Sequence, residues 1–277
     1  SMADYRIGFK WWALIIAVVF VISELVCVAC VPERPVACDE KPGKISDMFK
    51  ALFKNDQAMT VVVSIILVYT SLNICGNLVL YFFRFDVGNE GAYSIFAAVA
   101  FAAQVLVMMV IPLLRKRFSK SQLFISGFII QIAGFAVILI MAFAKLYTPQ
   151  SWYILCLPGI LIYLGYGMLN VIMTIFLSDS VDYGEVINGT REESVIFSMQ
   201  TFTVKLASGV AVFLAGLVVD WIHLDTAAAV QTQDTLDALR MWMTIPSVIL
   251  LIVGIFVFKR FYKLDDTRME EIKSKLN

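Results

Sequence analysis

The sequence predicts an all-α membrane protein with seven transmembrane helices. Of its 277 residues 60% are hydrophobic and only 16% charged, with a mean hydropathy of +0.82. Soluble domains run at roughly 45–50% apolar and about 25% charged. The apolar residues also gather into seven runs, each long enough to cross a bilayer. The formal charge is zero, 22 Lys and Arg against 22 Asp and Glu, so there is no basic footprint for nucleic acid. A single histidine, His223, leaves no His-rich metal site. No H-E-x-x-H or G-x-S-x-G text lies in a run, and no enzymatic activity is expected.

In chain order the runs cover residues 11–31, 58–82, 91–114, 121–144, 151–177, 195–221 and 241–261. At 1.5 Å per residue, about 20 residues cover the hydrocarbon core. The first run, in residues 1–31, contains Cys27 and Cys30 in a C-x-x-C spacing. With no second such pair and no neighbouring histidine, these read as small membrane-helix residues rather than a redox or zinc motif. Residues 32–57 form a linker with three prolines and mixed charge. Within it Ile45, Met48, Phe49, Leu52 and Phe53 recur at i, i+3, i+4, i+7 and i+8, the pattern of an amphipathic helix on the membrane surface. Residues 58–262 hold six spans joined by short connections, and residues 263–277 form a tail. This arrangement, one span and then six, reads as the end of one bundle followed by another. Sixteen Lys and Arg fall on the side of the linker and tail and five on the other, with Lys205 inside a span. The positive-inside rule therefore places the N-terminus outside and the C-terminus in the cytoplasm.

Polar residues form stripes on three spans. The second carries Thr70, Asn73, Asn77 and Tyr81; the fifth carries Tyr163, Tyr166, Asn170 and Thr174; the sixth carries Ser194, Ser198, Thr201, Lys205 and Ser208, all at helical spacing. Interhelical hydrogen bonding explains many such residues. Lys205 is different, because it lies roughly 15 Å from the end of its run, near the bilayer midplane, where a lysine costs about 2.5–3.5 kcal/mol. Snorkelling covers about one helical turn, so Lys205 calls for a hydrated cavity or a carboxylate. Glu24, on the first span, is the other ionisable residue well inside a run. Between the fifth and sixth runs, Ser178-Asp179-Ser180-Val181-Asp182-Tyr183-Gly184-Glu185 and the stretch through Arg191 to Ser194 read as an acidic loop, with Ser194 as a helix N-cap. Such a loop can latch onto basic loops elsewhere and release them as a gate opens.

This text resembles the glycoside-pentoside-hexuronide:cation symporter family (melibiose permease-like) of the major facilitator superfamily. The matching residues are Asp179-x-x-Asp182-Tyr183-Gly184-Glu185, Arg191-x-Glu193-Ser194 and Ser198-x-Gln200-Thr201-x-x-x-Lys205. Tyr81-Phe82-Phe83 ahead of Gly88, and the basic run from Arg115 to Lys120, add weaker support. The resemblance covers the whole chain but only the C-terminal half of a family member: helix six, the central cytoplasmic loop, helices seven to twelve and the tail. It implies cation-coupled symport of a sugar or glycoside by alternating access in the plasma membrane, a bacterial inner membrane. Helices seven to nine and ten to twelve would be inverted repeats. The implied partners are the sugar, the lipid bilayer and an N-terminal six-helix half, in the same chain or a separate one. That half would carry most of the ligands for the coupling cation, Na+ or H+; no other cofactor is implied. On this resemblance Lys205, Gln200, Thr201, Asn170, Asn73, Asn77 and Tyr81 serve substrate binding and coupling, and Asp179, Asp182, Tyr183, Glu185 and Arg191 the cytoplasmic gate. Where melibiose permease carries a tryptophan nine residues before the Asp179 position, this chain has Asn170. The loss exchanges a stacking face for hydrogen bonds. The alternative expectation from another class is a seven-helix receptor, which would need a ligand pocket shared by all seven spans.

Overall fold

The computed structural model describes residues 2–30, 53–189, 191, 193–228 and 230–276. It contains helices and no strands among these residues. The helices are α1 (Met2–Cys30), α2 (Asp56–Tyr81), α3 (Ala92–Leu114), α4 (Lys120–Phe143), α5 (Cys156–Asn188), α6 (Glu193–Trp221), α7 (Gln233–Phe261) and α8 (Asp266–Leu276). A π-helical turn, Phe82–Asp86, extends α2, and a 3-10 turn, Trp152–Leu155, leads into α5. Seven helices, α1 to α7, are long and apolar enough to cross a membrane. The chain divides into two units, residues 1–43 and 44–277. In the first, the described side chains of α1, Cys27 and Cys30 among them, are exposed along its length. The surface helix read over residues 45–53 lies outside the described residues except for Phe53, which is 66% exposed.

The second unit is built on two central helices. α5 packs against α4, α3 and α2, while α2 packs against α7, α6 and α5; α4 also meets α7. Taking α2–α3–α4 and α5–α6–α7 as consecutive triplets, each of these packings has its counterpart when the triplets are exchanged. Because a triplet has an odd number of spans, the second starts from the opposite end of the bundle. This is the pattern of inverted repeats.

Local chemistry sets the helix ends. Asn55 caps α2 by accepting from the Ala58 amide at 2.9 Å. Ser119 and Gln122 form a reciprocal capping box on α4, and Thr232 caps α7 through the Thr235 amide. α5 ends at Gly189 with φ +72°, the left-handed conformation that glycine tolerates. Where α4 crosses α5, Gly127, Gly134 and Gly165 let the backbones approach closely. A cluster of Phe124, Phe128, Phe176 and Phe258 fills the core beside it, with Tyr262 against Phe176 and Phe258.

Three sequence expectations are corrected. The stretch Ser178–Glu185 is not a loop: α5 continues through it to Asn188. Polar residues end the hydropathic run there, but the backbone hydrogen bonds of the helix persist beyond the apolar core. Ser194 is not an N-cap, since α6 starts one residue earlier at Glu193. Finally, α7 begins at Gln233, eight residues before the seventh apolar run at 241, so Arg240, just outside that run, sits inside a helix and is only 3% exposed.

Candidate functional site

Polar residues of α2, α5 and α6 come to a common open face, although Thr70 and Tyr166 of the stripes are buried. Its centre is Tyr69, a residue outside the four-residue stripe read on α2. The Asn170 amide donates to the Tyr69 hydroxyl at 2.5 Å, and the Tyr69 ring meets Tyr166 edge-on, with centroids 5.5 Å apart. Along α2 the Asn73 amide donates to the Tyr69 carbonyl and the Asn77 amide to the Asn73 carbonyl, each at 2.7 Å. One turn along α5, the Thr174 hydroxyl donates to the Asn170 carbonyl at 3.1 Å and accepts from Gln200 of α6 at 3.4 Å. Asn73, Asn77, Tyr81, Asn170 and Gln200 are all partly exposed. They face an opening rather than the packed core.

α6 turns its small residues inward and its polar ones outward. Thr203, Ala207, Ala211 and Ala215 are buried, whereas Ser194, Ser198, Thr201 and Lys205 are exposed. The Ser198 and Thr201 hydroxyls donate to carbonyls of the preceding turn. Lys205 has no hydrogen-bond or ion-pair partner among the described residues. Its height follows from helix geometry. α5 and α6 run in opposite directions and touch at Thr174 and Gln200. Asn170 lies four residues, about 6 Å, beyond that contact and Lys205 five residues, about 7.5 Å, so the two stand at nearly the same level. Farther along, Asn77 and Tyr81 line a cavity of about 560 Å³ together with Phe213, Gly216 and Asp220 of α6. Tyr81 also stacks on Phe85.

The residues assigned to the gate separate into three environments at the end of the bundle where α2 begins. Asp179 is 6% exposed and bonds to Lys120, at the start of α4. Asp266 of α8 reaches both Lys120 and Arg115 at 3.4 Å. Tyr183 donates to Asp56 at 3.0 Å. Asp182 and Glu185, one turn apart on α5, both bind Arg191, which also reaches Glu193; these distances are 2.9–3.2 Å. The hydrogen bond to Glu185 comes first among the causes that hold the Arg191 guanidinium above its already high range, against a smaller opposing effect of burial. Sequence reasoning missed Tyr69 and the role of Lys120. Tyr69 stood in an apolar run one residue from Thr70, and only the rotation of α2 against α5 selects it.

Comparison with known proteins follows the same lines. The chain is similar to an uncharacterized symporter, YjmB, of Bacillus subtilis (strain 168), with 25% identity over 91% of this chain and 54% of that protein. It is similar to the raffinose carrier protein of Pediococcus pentosaceus, 24% identical over 100% of this chain and 43% of the relative. The isoprimeverose transporter of Lactiplantibacillus pentosus is 25% identical over 93% and 52%. The chain spans about half the length of the curated relatives it matches. A family model described as MFS/sugar transport protein matches residues 3–266, and by that match over nearly its whole length the chain belongs to this family of membrane transporters, which are not enzymes.

Proposed function

We propose that this chain forms the C-terminal part of a secondary transporter that couples symport of a sugar or glycoside to Na+ or H+ by alternating access. In this reading α1 is the sixth helix of the family fold, residues 32–57 the central cytoplasmic loop, α2 to α7 the C-terminal six-helix bundle and α8 the cytoplasmic tail. The observation that carries it is the open polar face of α2, α5 and α6, with an unpartnered lysine on a membrane span at the height of its hydrogen-bonding centre. A sugar presents hydroxyls that both donate and accept. With the Tyr69 oxygen accepting from Asn170, the Tyr69 O–H is left to donate and Asn170 Oδ1 to accept, a matched pair for neighbouring hydroxyls. The Tyr69 and Tyr166 rings lie beside Asn170, where melibiose permease has its tryptophan, and supply an aromatic surface there. Asn73, Asn77, Tyr81, Gln200 and Thr201 extend the hydrogen-bonding surface.

Lys205 needs carboxylates to balance its charge at this depth, and an N-terminal half facing this surface would bring them, together with the coupling cation. Cation and sugar occupancy then act on the same lysine. At the cytoplasmic end the acids of α5 with Arg191 and Tyr183 take part in closing the gate. A seven-helix receptor fits less well, because the polar face involves three helices and the family is one of transporters. The test is Lys205→Gln in the complete two-bundle transporter, assayed with labelled raffinose, lactose and isoprimeverose in energised membrane vesicles. Cation-driven accumulation should fall to the level of vesicles lacking the protein. Unchanged concentrative uptake would remove Lys205 from the coupling site.

A further inference from the structure

Two buried ion pairs stand at opposite ends of the second unit, and their acids and bases occupy equivalent places in the two triplets. At the end of α2, Asp86 accepts from Nε of Arg240 at 2.8 Å, and both side chains are 3% exposed. Arg240 also donates to Asp237 at 2.7 Å. Tyr147, just after α4, donates to Asp86 at 2.6 Å, and its ring meets Phe82 with centroids 5.5 Å apart. At the other end Asp179, in the last turns of α5, pairs with Lys120, their side chains 8% and 9% exposed. Lys120 also reaches Asp266. Tyr262, just after α7, packs on Phe176 with centroids 4.4 Å apart, but unlike Tyr147 its buried hydroxyl bonds to no described residue. Burial chiefly raises the Tyr262 phenol, with the Asp179 and Asp266 carboxylates adding to the shift. Burial likewise dominates at Tyr147, followed by its hydrogen bond to Asp86.

Exchanging the triplets α2–α3–α4 and α5–α6–α7 maps one set onto the other. The acid stands near the end of the first helix of a triplet, three or four residues after a phenylalanine. The base stands near the start of the third helix of the other triplet, and the tyrosine follows the third helix of the acid's own triplet. We infer that Asp86–Arg240, joined by Tyr147, and Asp179–Lys120 are paired locks, positioning groups that each fasten a polar-stripe helix to a scaffold helix: α2 to α7 at one end, α5 to α4 at the other. The Asp86–Arg240 lock is new to the site described above. The Asp179–Lys120 lock gives Asp179 a strut role inside the bundle, alongside any part in gating. The inference rests on geometry within this unit and stands apart from the sugar-symport reading.

A buried pair that loses one member leaves an uncompensated charge, whereas removal of both members avoids it. The test uses the chain as described, purified in nanodiscs, with thermal unfolding and peptide-resolved hydrogen exchange as readouts. Arg240→Gln, which strands Asp86, should lower Tm by roughly 6 °C or more, and Asp86→Asn, which leaves Arg240 its bond to Asp237, by less. The double variant should recover at least half of the larger loss. Asp86→Asn should raise exchange by tenfold or more in Phe82–Asp86 and the first turns of α7, leaving the Lys120 end unchanged. Asp179→Asn should do the reverse. Should a single variant not fold, the double variant and the conservative Asp86→Glu carry the same exchange measurement. Additive single and double effects, equal exchange increases at both ends, or no local increase would overturn the inference.

Discussion

Gly165→Ala tests the close crossing of α4 and α5. A Cβ at position 165 would lie 2.5 Å from the Gly127 carbonyl oxygen, 2.6 Å from the Gln131 amide nitrogen and 2.7 Å from the Gln131 Cβ. Two of these neighbours are backbone atoms of α4 and the third is fixed to that backbone, so no rotamer change can relieve them. Ordinary contact needs separations of about 3.4 Å or more, so α4 and α5 would have to move apart by nearly 1 Å. That loosens the contacts on both sides of the crossing, including those of Gly127 with Leu169 and of Gly134 with Ile162. Overpacking of this kind costs about 1–3 kcal/mol, and at about 2–4 °C per kcal/mol Tm should fall by roughly 2–12 °C. Gly76, Gly209 and Gly216 are the controls, because a Cβ there meets no heavy atom within 4 Å. Alanine at those sites gains helix propensity of up to about 1 kcal/mol and should be neutral or stabilising. Thermal unfolding of the purified chain in one detergent, followed by circular dichroism, separates the two groups. If Gly165→Ala melts with Gly209→Ala, the α4–α5 crossing is not as close as described and the argument fails.

Further expectations concern the polar face and the whole protein. Tyr69→Phe keeps the edge-on contact with Tyr166 but removes the hydroxyl, and should weaken apparent sugar affinity in the complete transporter by about fivefold to tenfold, the worth of one hydrogen bond. Equilibrium binding of the labelled sugar measures it, and an unchanged affinity takes Tyr69 out of the site. Arg191→Gln breaks three ion pairs, but its side chain is 49% exposed, so Tm of the chain should change by no more than a few degrees. A shift as large as that of Arg240→Gln would mean that the Arg191 cluster holds the fold. An antibody raised to residues 265–277 should recognise, in native membranes, a polypeptide of about twice 31.0 kDa if the two bundles share one chain. A band near 31 kDa would place the N-terminal half on a separate polypeptide.

The parts of this protein that were legible in the sequence are those governed by local, one-dimensional properties. Hydropathy located the seven spans to within a few residues at most boundaries, because the apolar length needed to cross a bilayer is a property of a single segment. Helical spacing placed Asn73 and Asn170 on polar stripes and the family resemblance singled out Gln200; through Tyr69 and Thr174 these residues connect α2, α5 and α6 at one face. Hydropathy was a poor guide where a helix outlasts its apolar core. The last turns of α5 and the first of α7 carry charges that end a hydropathic run without ending the helix, so Asp179 was read into a loop and Arg240 fell outside the seventh run.

Sequence alone determined an all-helical membrane chain with polar stripes on three spans and one lysine at mid-depth. Only the tertiary structure decided which groups touch. Tyr69 and Asn170 are 101 residues apart, Lys120 and Asp179 are 59 apart, and Arg240 and Asp86 are 154 apart. No local pattern reports such pairings, since they depend on how far each helix is rotated and slid against its neighbours. That rotation is set by close packing, in which Gly127, Gly134 and Gly165 bring α4 against α5 and so fix the direction in which Asn170 points.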